Sequence, residues 1–96
     1  MPVYVSLVRG TQKGHQEIRD LGKRYEALKK EMEGVGGKIL NAYALFGRYD
    51  YLLICELPSE KDAARVLAGA AARGTARFET MTAMPIEAFI KIAQEV

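Results

Sequence analysis

Four short segments of the chain are rich in β-branched, aromatic and other apolar residues and are bounded by glycine, proline or polar residues, which is typical of β-strands. They cover residues 3–8, 38–46, 51–57 and 76–83. The second and third segments are separated only by the polar turn at residues 47–50. We therefore expect these two strands to form an antiparallel hairpin.

Three further segments show apolar residues spaced by three and four positions, which places them on one face of a helix. The first is predicted to be one long helix that is capped by Thr11 and ends near Glu33. The second is predicted to begin after the cap residue Ser59 and to end at Gly74, and a short third helix to begin at Pro85. The apolar face of the first helix is formed by Ile18, Leu21, Tyr25, Leu28 and Met32.

The order of these elements is β-α-β-β-α-β with an additional terminal helix. It predicts an α+β, ferredoxin-like fold, in which a four-stranded antiparallel sheet carries two helices on one face and a short C-terminal helix follows. Right-handed crossovers place the first and third strands in the centre of this sheet. With 96 residues the chain is expected to form a single domain over residues 1–96.

Apolar residues occupy both faces of the predicted sheet. The first strand places Val3, Val5 and Leu7 on one face, and the third strand has consecutive apolar residues at 52–54. In the second strand, even-numbered residues are expected on one face and odd-numbered residues on the other. Since two helices cover only one face, we expect a second copy of the chain to cover the other by two-fold symmetry. The alternative is that the C-terminal helix folds across this face.

Composition and charge exclude several classes of function. Hydrophobic residues make up 49% of the chain and charged residues 27%, which excludes disorder, and the net charge of +2 is too small for a nucleic-acid-binding surface. The basic residues of the first helix, Arg24 among them, alternate with acidic ones and are interpreted as a solvated face. Neither a signal-peptide pattern nor an apolar stretch of about 20 residues occurs, so a cytoplasmic protein without membrane contact is expected.

The chain has one cysteine and one histidine, so neither a disulfide nor a standard zinc spacing is available. Cys55 lies within the third apolar segment and is interpreted as a small core residue. The glycines at 34, 36 and 37 follow a helix and precede a strand, which is the reverse of the order in a dinucleotide site. We therefore expect no metal and no cofactor.

The turn Gly47-Arg48-Tyr49-Asp50 has two interpretations. In the structural one, which we favour, Gly47 supplies a positive φ and the Asp50 carboxylate accepts N–H groups of the turn, while Tyr49 packs on the end of the hairpin. In the functional one, Tyr49 and Asp50 lie at the mouth of a cavity, between sheet and helices or between subunits, and bind a polar ligand.

Other polar residues within the apolar pattern extend this candidate ligand site. Ser6, Asn41 and Tyr43 lie on predicted strands among apolar neighbours. His15 is the one candidate for a general base, with Tyr43, Asn41 or Asp50 as its partner, although a partly exposed helix residue is the favoured interpretation. The catalytic residues, if any, stay unknown at this point.

The sequence resembles the GYD-domain family. The sharpest motif is Phe46-Gly47-Arg48-Tyr49-Asp50-Tyr51 followed by an apolar strand, and residues 4–8, 36–38 and 76–83 are similar as well, so that the likeness covers nearly the whole chain. The resemblance implies a place among the bacterial proteins of the dimeric α/β-barrel group, and it implies no particular activity.

Three functions follow in order of preference. The first is an oligomeric module that binds a small polar or aromatic molecule, with a second copy of the chain as its protein partner. The second is a structural or interaction protein without a ligand. The third is a cofactor-free enzyme of the monooxygenase or isomerase type, as in other dimeric α/β-barrel proteins.

Overall fold

A computed structural model describes all residues, 1–96, of the chain. The four strands are β1 (Val3–Gly10), β2 (Lys38–Ala44), β3 (Tyr51–Glu56) and β4 (Ala76–Ala83). The α-helices are α1 (Gln12–Gln16), α2 (Leu21–Gly34), α3 (Glu60–Ala72) and α4 (Ile86–Ala93), and a 3-10 turn at Ile18–Asp20 joins α1 to α2.

The strands form one antiparallel sheet in the order β2-β3-β1-β4. The ferredoxin-like arrangement is thereby confirmed, with β1 and β3 in the centre as the crossover rule predicts. Tyr4, Ser6 and Val8 of β1 share the face that α2 and α3 cover, whereas Val3, Val5 and Leu7 point to the opposite face.

The hydrophobic core lies between that covered face and the two long helices. Leu57, directly after β3, is its most completely buried large residue. Cys55 is buried there too, as predicted, and burial raises the pKa of its thiol, which disfavours the reactive thiolate. The ten buried apolar residues come from β1, α2, β3, its C-terminal extension and α3: Tyr4, Val8, Leu28, Met32, Leu53, Cys55, Leu57, Ala63, Val66 and Ala70.

The single long first helix predicted from the sequence is wrong. The chain leaves the helical path at Glu17, whose φ and ψ are −102° and 30°, and Ile18 is 46% exposed instead of lying on the buried face. Thr11 does cap α1, as predicted, because its side chain accepts the N–H of Gly14. Gly14 is buried so close to the Thr75 carbonyl that a Cβ there would collide with it, so α1 packs directly against the residue that precedes β4.

The connection between β2 and β3 also differs from the prediction. β2 ends at Ala44, so residues 45–50 form the connection, and Gly47 does not have a positive φ. The Asp50 carboxylate accepts the N–H of Gly10 on β1, 40 residues away in sequence, rather than N–H groups of its own turn. The turn is therefore ordered by its contact with the neighbouring strand.

The strict alternation expected for β2 is interrupted by a β-bulge between Ile39 and Asn41. Ile39 pairs with Cys55, whereas the next registered pair joins Asn41 to Ile54. As a result Ile39 lies on the same face as the even-numbered Ala42, and both point toward the helices. A bulge of this kind is common on the edge strand of a sheet.

The second face of the sheet, which we call the open face, is covered by no element of the chain. The C-terminal helix does not fold across it, so that alternative is wrong: every residue of α4 is exposed, and Pro85 is its cap residue rather than its first residue. No helix of the chain is both long and apolar enough to cross a lipid bilayer. The centre of the open face is apolar and consists of Val3, Val5, Leu7, Tyr43, Leu52, Ile54 and Met81, and the same face also carries the polar residues Lys38, Asn41, Glu56 and Glu79.

Candidate functional site

A cavity of about 440 Å³ lies between the covered face of the sheet and α2. Its lining includes the end of β1 at Gly10, the start of β3 at Tyr51 and the start of β4 at Ala76. Its volume falls within the range of about 300–1,000 Å³ that is usual for small-molecule sites. The side chains that form most of its wall are Leu21, Tyr25, Leu28, Tyr51, Leu53 and Phe78.

Small residues create the space for this cavity. Gly22 lies on α2 with no atom within 4 Å of the position that a Cβ would take, so nothing fills the room beside it. The remaining small residues of the lining come from β1, α1, β2, α3 and β4, and none of them projects far from its backbone: Gly10, Gly14, Ala42, Ala44, Ala70 and Ala76.

Two arginines are the charged residues of the lining, and no acidic residue belongs to it. Arg24 on α2 donates hydrogen bonds to the carbonyl oxygens of Glu17 at 2.8 Å and Gly14 at 3.4 Å. Arg73, which follows α3, donates to Glu31 Oε1 at 2.7 Å. Both guanidinium groups are therefore held at defined positions by hydrogen bonds within the chain.

Asp50 and His15 meet beside the cavity. Asp50 Oδ2 accepts the Gly10 N–H at 2.7 Å, and the backbone N–H of Asp50 donates to the Val8 carbonyl at 2.8 Å. His15 Nε2 lies 3.6 Å from the same Oδ2 atom. Of the three partners suggested for His15, the structure brings Asp50 next to it. A carboxylate at this distance attracts a protonated imidazole.

The other residues singled out in the sequence take different positions. Tyr43 belongs to the lining of the cavity, but its pairing with Leu52 directs its side chain to the open face. The ring of Tyr49 lies under the Arg9 guanidinium, 4.8 Å from its centroid, and outside the lining. Asn41 pairs with Ile54 and points to the opposite side of the sheet from the cavity. Ser6 is 2% exposed, and its hydroxyl is hydrogen-bonded to that of Thr80 at 2.8 Å.

Arg24 was missed as a site residue, because the alternation of charges around it suggested a solvated face. The signal that could have found it is its spacing: it lies three residues after Leu21 and four before Leu28, which places it on the apolar side of α2. No group of three or more His, Cys, Asp or Glu side chains is close enough together to hold a metal ion.

Replacing Asp50 by alanine is expected to lower the free energy of unfolding by about 1–2 kcal/mol, because the Gly10 N–H loses its acceptor. Asp50→Asn keeps a side-chain oxygen and is expected to cost less. Urea denaturation of both variants measures the difference. The matched control is Asp20→Ala, since Asp20 is exposed and makes no cap hydrogen bond. Equal losses in Asp50→Ala and Asp20→Ala would contradict the assigned hydrogen bond.

Comparisons with known proteins agree with this architecture. The sequence model of the family described as GYD domain matches residues 4–93. A curated relative from Thermus thermophilus, named "Glutamine synthetase and cystathionine beta-lyase binding protein", is 26% identical over 87 residues, which cover 90% of this chain and 92% of the relative.

Solved structures show a similar fold at low sequence identity. The crystal structure of TTHA0845 from Thermus thermophilus has a TM-score of 0.54 and 20% identity, with 88% of this chain and 95% of that chain covered. The crystal structure of hypothetical protein PHS023 from Pyrococcus horikoshii has a TM-score of 0.55 and 18% identity, with coverage of 88% and 92%. At these identities the likeness shows the fold alone.

Proposed function

We propose that this chain, which belongs to the GYD domain family, is a small-molecule-binding module that works as an oligomer of identical chains. The observation that carries the proposal is the cavity of about 440 Å³ beside α2. Aromatic and aliphatic side chains form its walls, and a few polar groups lie at its rim, which is the usual make-up of a ligand site.

The rim supplies groups for the polar end of a ligand. Asp50 and His15 lie next to Gly10, which lines the cavity. Tyr49 precedes Asp50 in the chain and is fixed against Arg9. These residues give the cavity an apolar interior and a polar entrance, so the ligand class that fits is a small molecule with both kinds of surface.

The oligomeric part of the proposal rests on the open face. Its central residues belong to β1 and β3, and no helix of the same chain packs on them. α4 adds a second apolar surface, since Ile86, Phe89 and Ile90 are 46–62% exposed. Contiguous apolar surface of this kind is rarely left in water, and a second copy of the chain is the occupant that symmetry favours.

A pair of glycine variants on α2 tests the ligand site. Gly22 and Gly34 both have open space where a Cβ would be built, but Gly22 lines the cavity and Gly34 does not. Amino acids, small acids and aromatic metabolites are screened by thermal shift against the wild type. We expect at least one to raise the melting temperature, and we expect Gly22→Leu, which fills the cavity, to abolish this shift while Gly34→Leu preserves it.

The screen has two outcomes that would overturn the ligand site. One is that no compound shifts the wild type, and the other is that Gly22→Leu responds like Gly34→Leu. Melting of the unliganded variants serves as the folding control, and both leucine variants are expected to fold because neither side chain meets a neighbouring atom at its Cβ.

Binding of other proteins is a second candidate function. The Thermus relative carries a name that states binding of glutamine synthetase and cystathionine beta-lyase. In this chain the exposed apolar side of α4 is a surface suited to such contacts. Size-exclusion co-elution with each of these two enzymes, using wild type and Phe89→Asp, tests this candidate. Co-elution of the wild type that Phe89→Asp abolishes would support it, and absence of co-elution would contradict it.

A further inference from the structure

We propose that the cavity binds an organic monocarboxylate with an aromatic or branched apolar body, and that the Arg24 guanidinium receives the carboxylate group. This inference rests on the proposed function, because it assumes that the cavity is a small-molecule site. It adds the charge of the ligand and the residue that recognises it.

The sign of the ligand's charge follows from the lining. The eighteen lining residues include two arginines and no aspartate or glutamate. A cationic ligand would therefore meet the Arg24 charge and no carboxylate within the lining itself, which is unfavourable in a largely apolar space. An anion finds a positively charged partner there, and the largely apolar lining lowers the local dielectric relative to bulk water, which strengthens this attraction.

The two arginines differ in whether they are already neutralised. Arg73 donates to the Glu31 carboxylate at 2.7 Å, so its charge is matched within the protein. Arg24 forms no salt bridge, and its two hydrogen bonds go to the backbone carbonyls of Glu17 and Gly14. These neutral acceptors orient the guanidinium without compensating its charge.

The geometry of Arg24 suits a carboxylate. A guanidinium has five N–H donors in a planar fork, and two of them are used in the bonds to Glu17 and Gly14. The remaining donors are available for a paired contact with two carboxylate oxygens, which is the preferred arrangement of this ion pair. One unmatched positive charge balances one negative charge, and this favours a monocarboxylate over a phosphate dianion.

The apolar body of the ligand is indicated by the apolar part of the lining. Tyr25, Tyr51 and Phe78 place three aromatic rings in the lining, and Leu28 and Leu53 are beside them. An aromatic ring or a branched aliphatic chain gains contact energy with such a wall and loses nothing to unpaired polar atoms. The volume of about 440 Å³ has room for a body of this size together with its carboxylate.

A pair of probes separates charge recognition from apolar burial. We use 3-phenylpropionate and its neutral isostere 3-phenylpropionamide, and measure the dissociation constants of both by isothermal titration calorimetry. For the wild type we expect the acid to bind at least about tenfold more tightly than the amide, as is usual for a hydrogen-bonded ion pair. Arg24→Gln is expected to remove this preference to within roughly twofold, by loss of affinity for the acid.

Two arginine variants act as controls for Arg24→Gln. Arg19 lies on the exposed 3-10 turn and does not line the cavity, so Arg19→Gln is expected to leave both affinities unchanged. Arg73→Gln is expected to reduce acid binding by less than Arg24→Gln does, and a larger effect would overturn the assignment to Arg24. If Arg24→Gln fails to fold, Arg24→Lys replaces it and is expected to lower acid affinity, because lysine lacks the planar fork.

The outcomes distinguish this inference from the proposed function. Equal affinities of wild type for acid and amide, or no binding of either probe, overturn the monocarboxylate assignment. In both cases the proposed function stands as long as a screened compound shifts the melting of the wild type and not that of Gly22→Leu. If no compound does so, the ligand site itself is wrong.

Discussion

Leu57→Ala is expected to reduce the free energy of unfolding by about 3–5 kcal/mol, at the upper end of the range for a buried leucine. Leu57 is 2% exposed and lies in the core just after β3. Gly37 approaches it so closely that a Cβ on the glycine would meet the Leu57 side chain at 2.6 Å. Because backbone atoms border the leucine on this side, neighbouring groups cannot easily move into the cavity that the alanine variant leaves.

A loss of about 3–5 kcal/mol would be a large share of the total free energy of unfolding. A chain of 96 residues is expected to have an unfolding free energy of about 5–14 kcal/mol, and the core consists of ten buried apolar residues. Urea denaturation followed by circular dichroism measures the loss. Leu40→Ala is the matched control, since Leu40 is 40% exposed on the edge strand, and it is expected to cost less than about 1 kcal/mol. Equal costs for the two alanine variants would show that Leu57 is not in a rigid core.

Ile54→Asp is expected to convert an oligomer into a monomer of 10.6 kDa. Ile54 is in the middle of the open face, where it pairs with Val5 of β1 and Asn41 of β2. A carboxylate there would be buried without a partner in any assembly that uses this face. The free-energy cost of desolvating one such charge in each subunit exceeds the binding free energy that an interface of ordinary size provides.

Sedimentation equilibrium at micromolar protein concentration measures the molar mass in solution and so tests this prediction. The control is Ile18→Asp, which makes the same chemical change at a residue that is 46% exposed and lies on the helix side of the sheet. We expect the control to sediment like the wild type, as a dimer or larger. A wild type that sediments as a monomer would exclude an oligomer built on the open face, and the cavity would then have to serve a single chain.

The strands and their order could be predicted because each depends on local patterns. The period of two in β1 and β4 was visible in the sequence, and a short polar segment between two apolar runs leaves a hairpin as the simple solution. The helix caps Thr11 and Ser59 were found for the same reason, since a cap bond reaches only three residues along the chain. Such features need no knowledge of the rest of the fold.

The predictions that were wrong concern features that depend on contacts between segments distant in sequence. The break in the first helix at Glu17 is stabilised by a hydrogen bond from the Arg24 side chain to the Glu17 carbonyl, and Gly14 packs directly against the Thr75 carbonyl. Neither contact can be predicted from helix periodicity. Asp50 follows a turn and has the residue type of a local acceptor, yet its partner Gly10 comes from another strand. Rules for local turn structure therefore identify Asp50 correctly as a hydrogen-bond acceptor but assign it the wrong donor.

The candidate site was anticipated only at its rim. The turn motif indicates Asp50 and the single histidine indicates His15, and both lie beside the cavity, whereas the side chain of Tyr43 points to the open face. Arg24 is not predicted as a site residue, because alternating charges on its helix usually indicate a solvated surface, and nothing in the sequence around Arg73 marks it as one. Whether a long, flexible side chain points into a cavity or into water depends on where small residues such as Gly22 leave space, and that is a property of the packed structure.

The β-bulge in β2 has a consequence for how these molecules meet at high concentration. It interrupts the regular row of main-chain donors and acceptors along one lateral margin of the sheet, between Ile39 and Asn41. At the other margin, β4 carries the charged residues Arg77 and Glu79. The bulge and the charged residues both disfavour the addition of a strand from another molecule at the sheet edges, so growth into ribbons or fibrils is disfavoured. At high concentration the molecules should instead associate through their open faces.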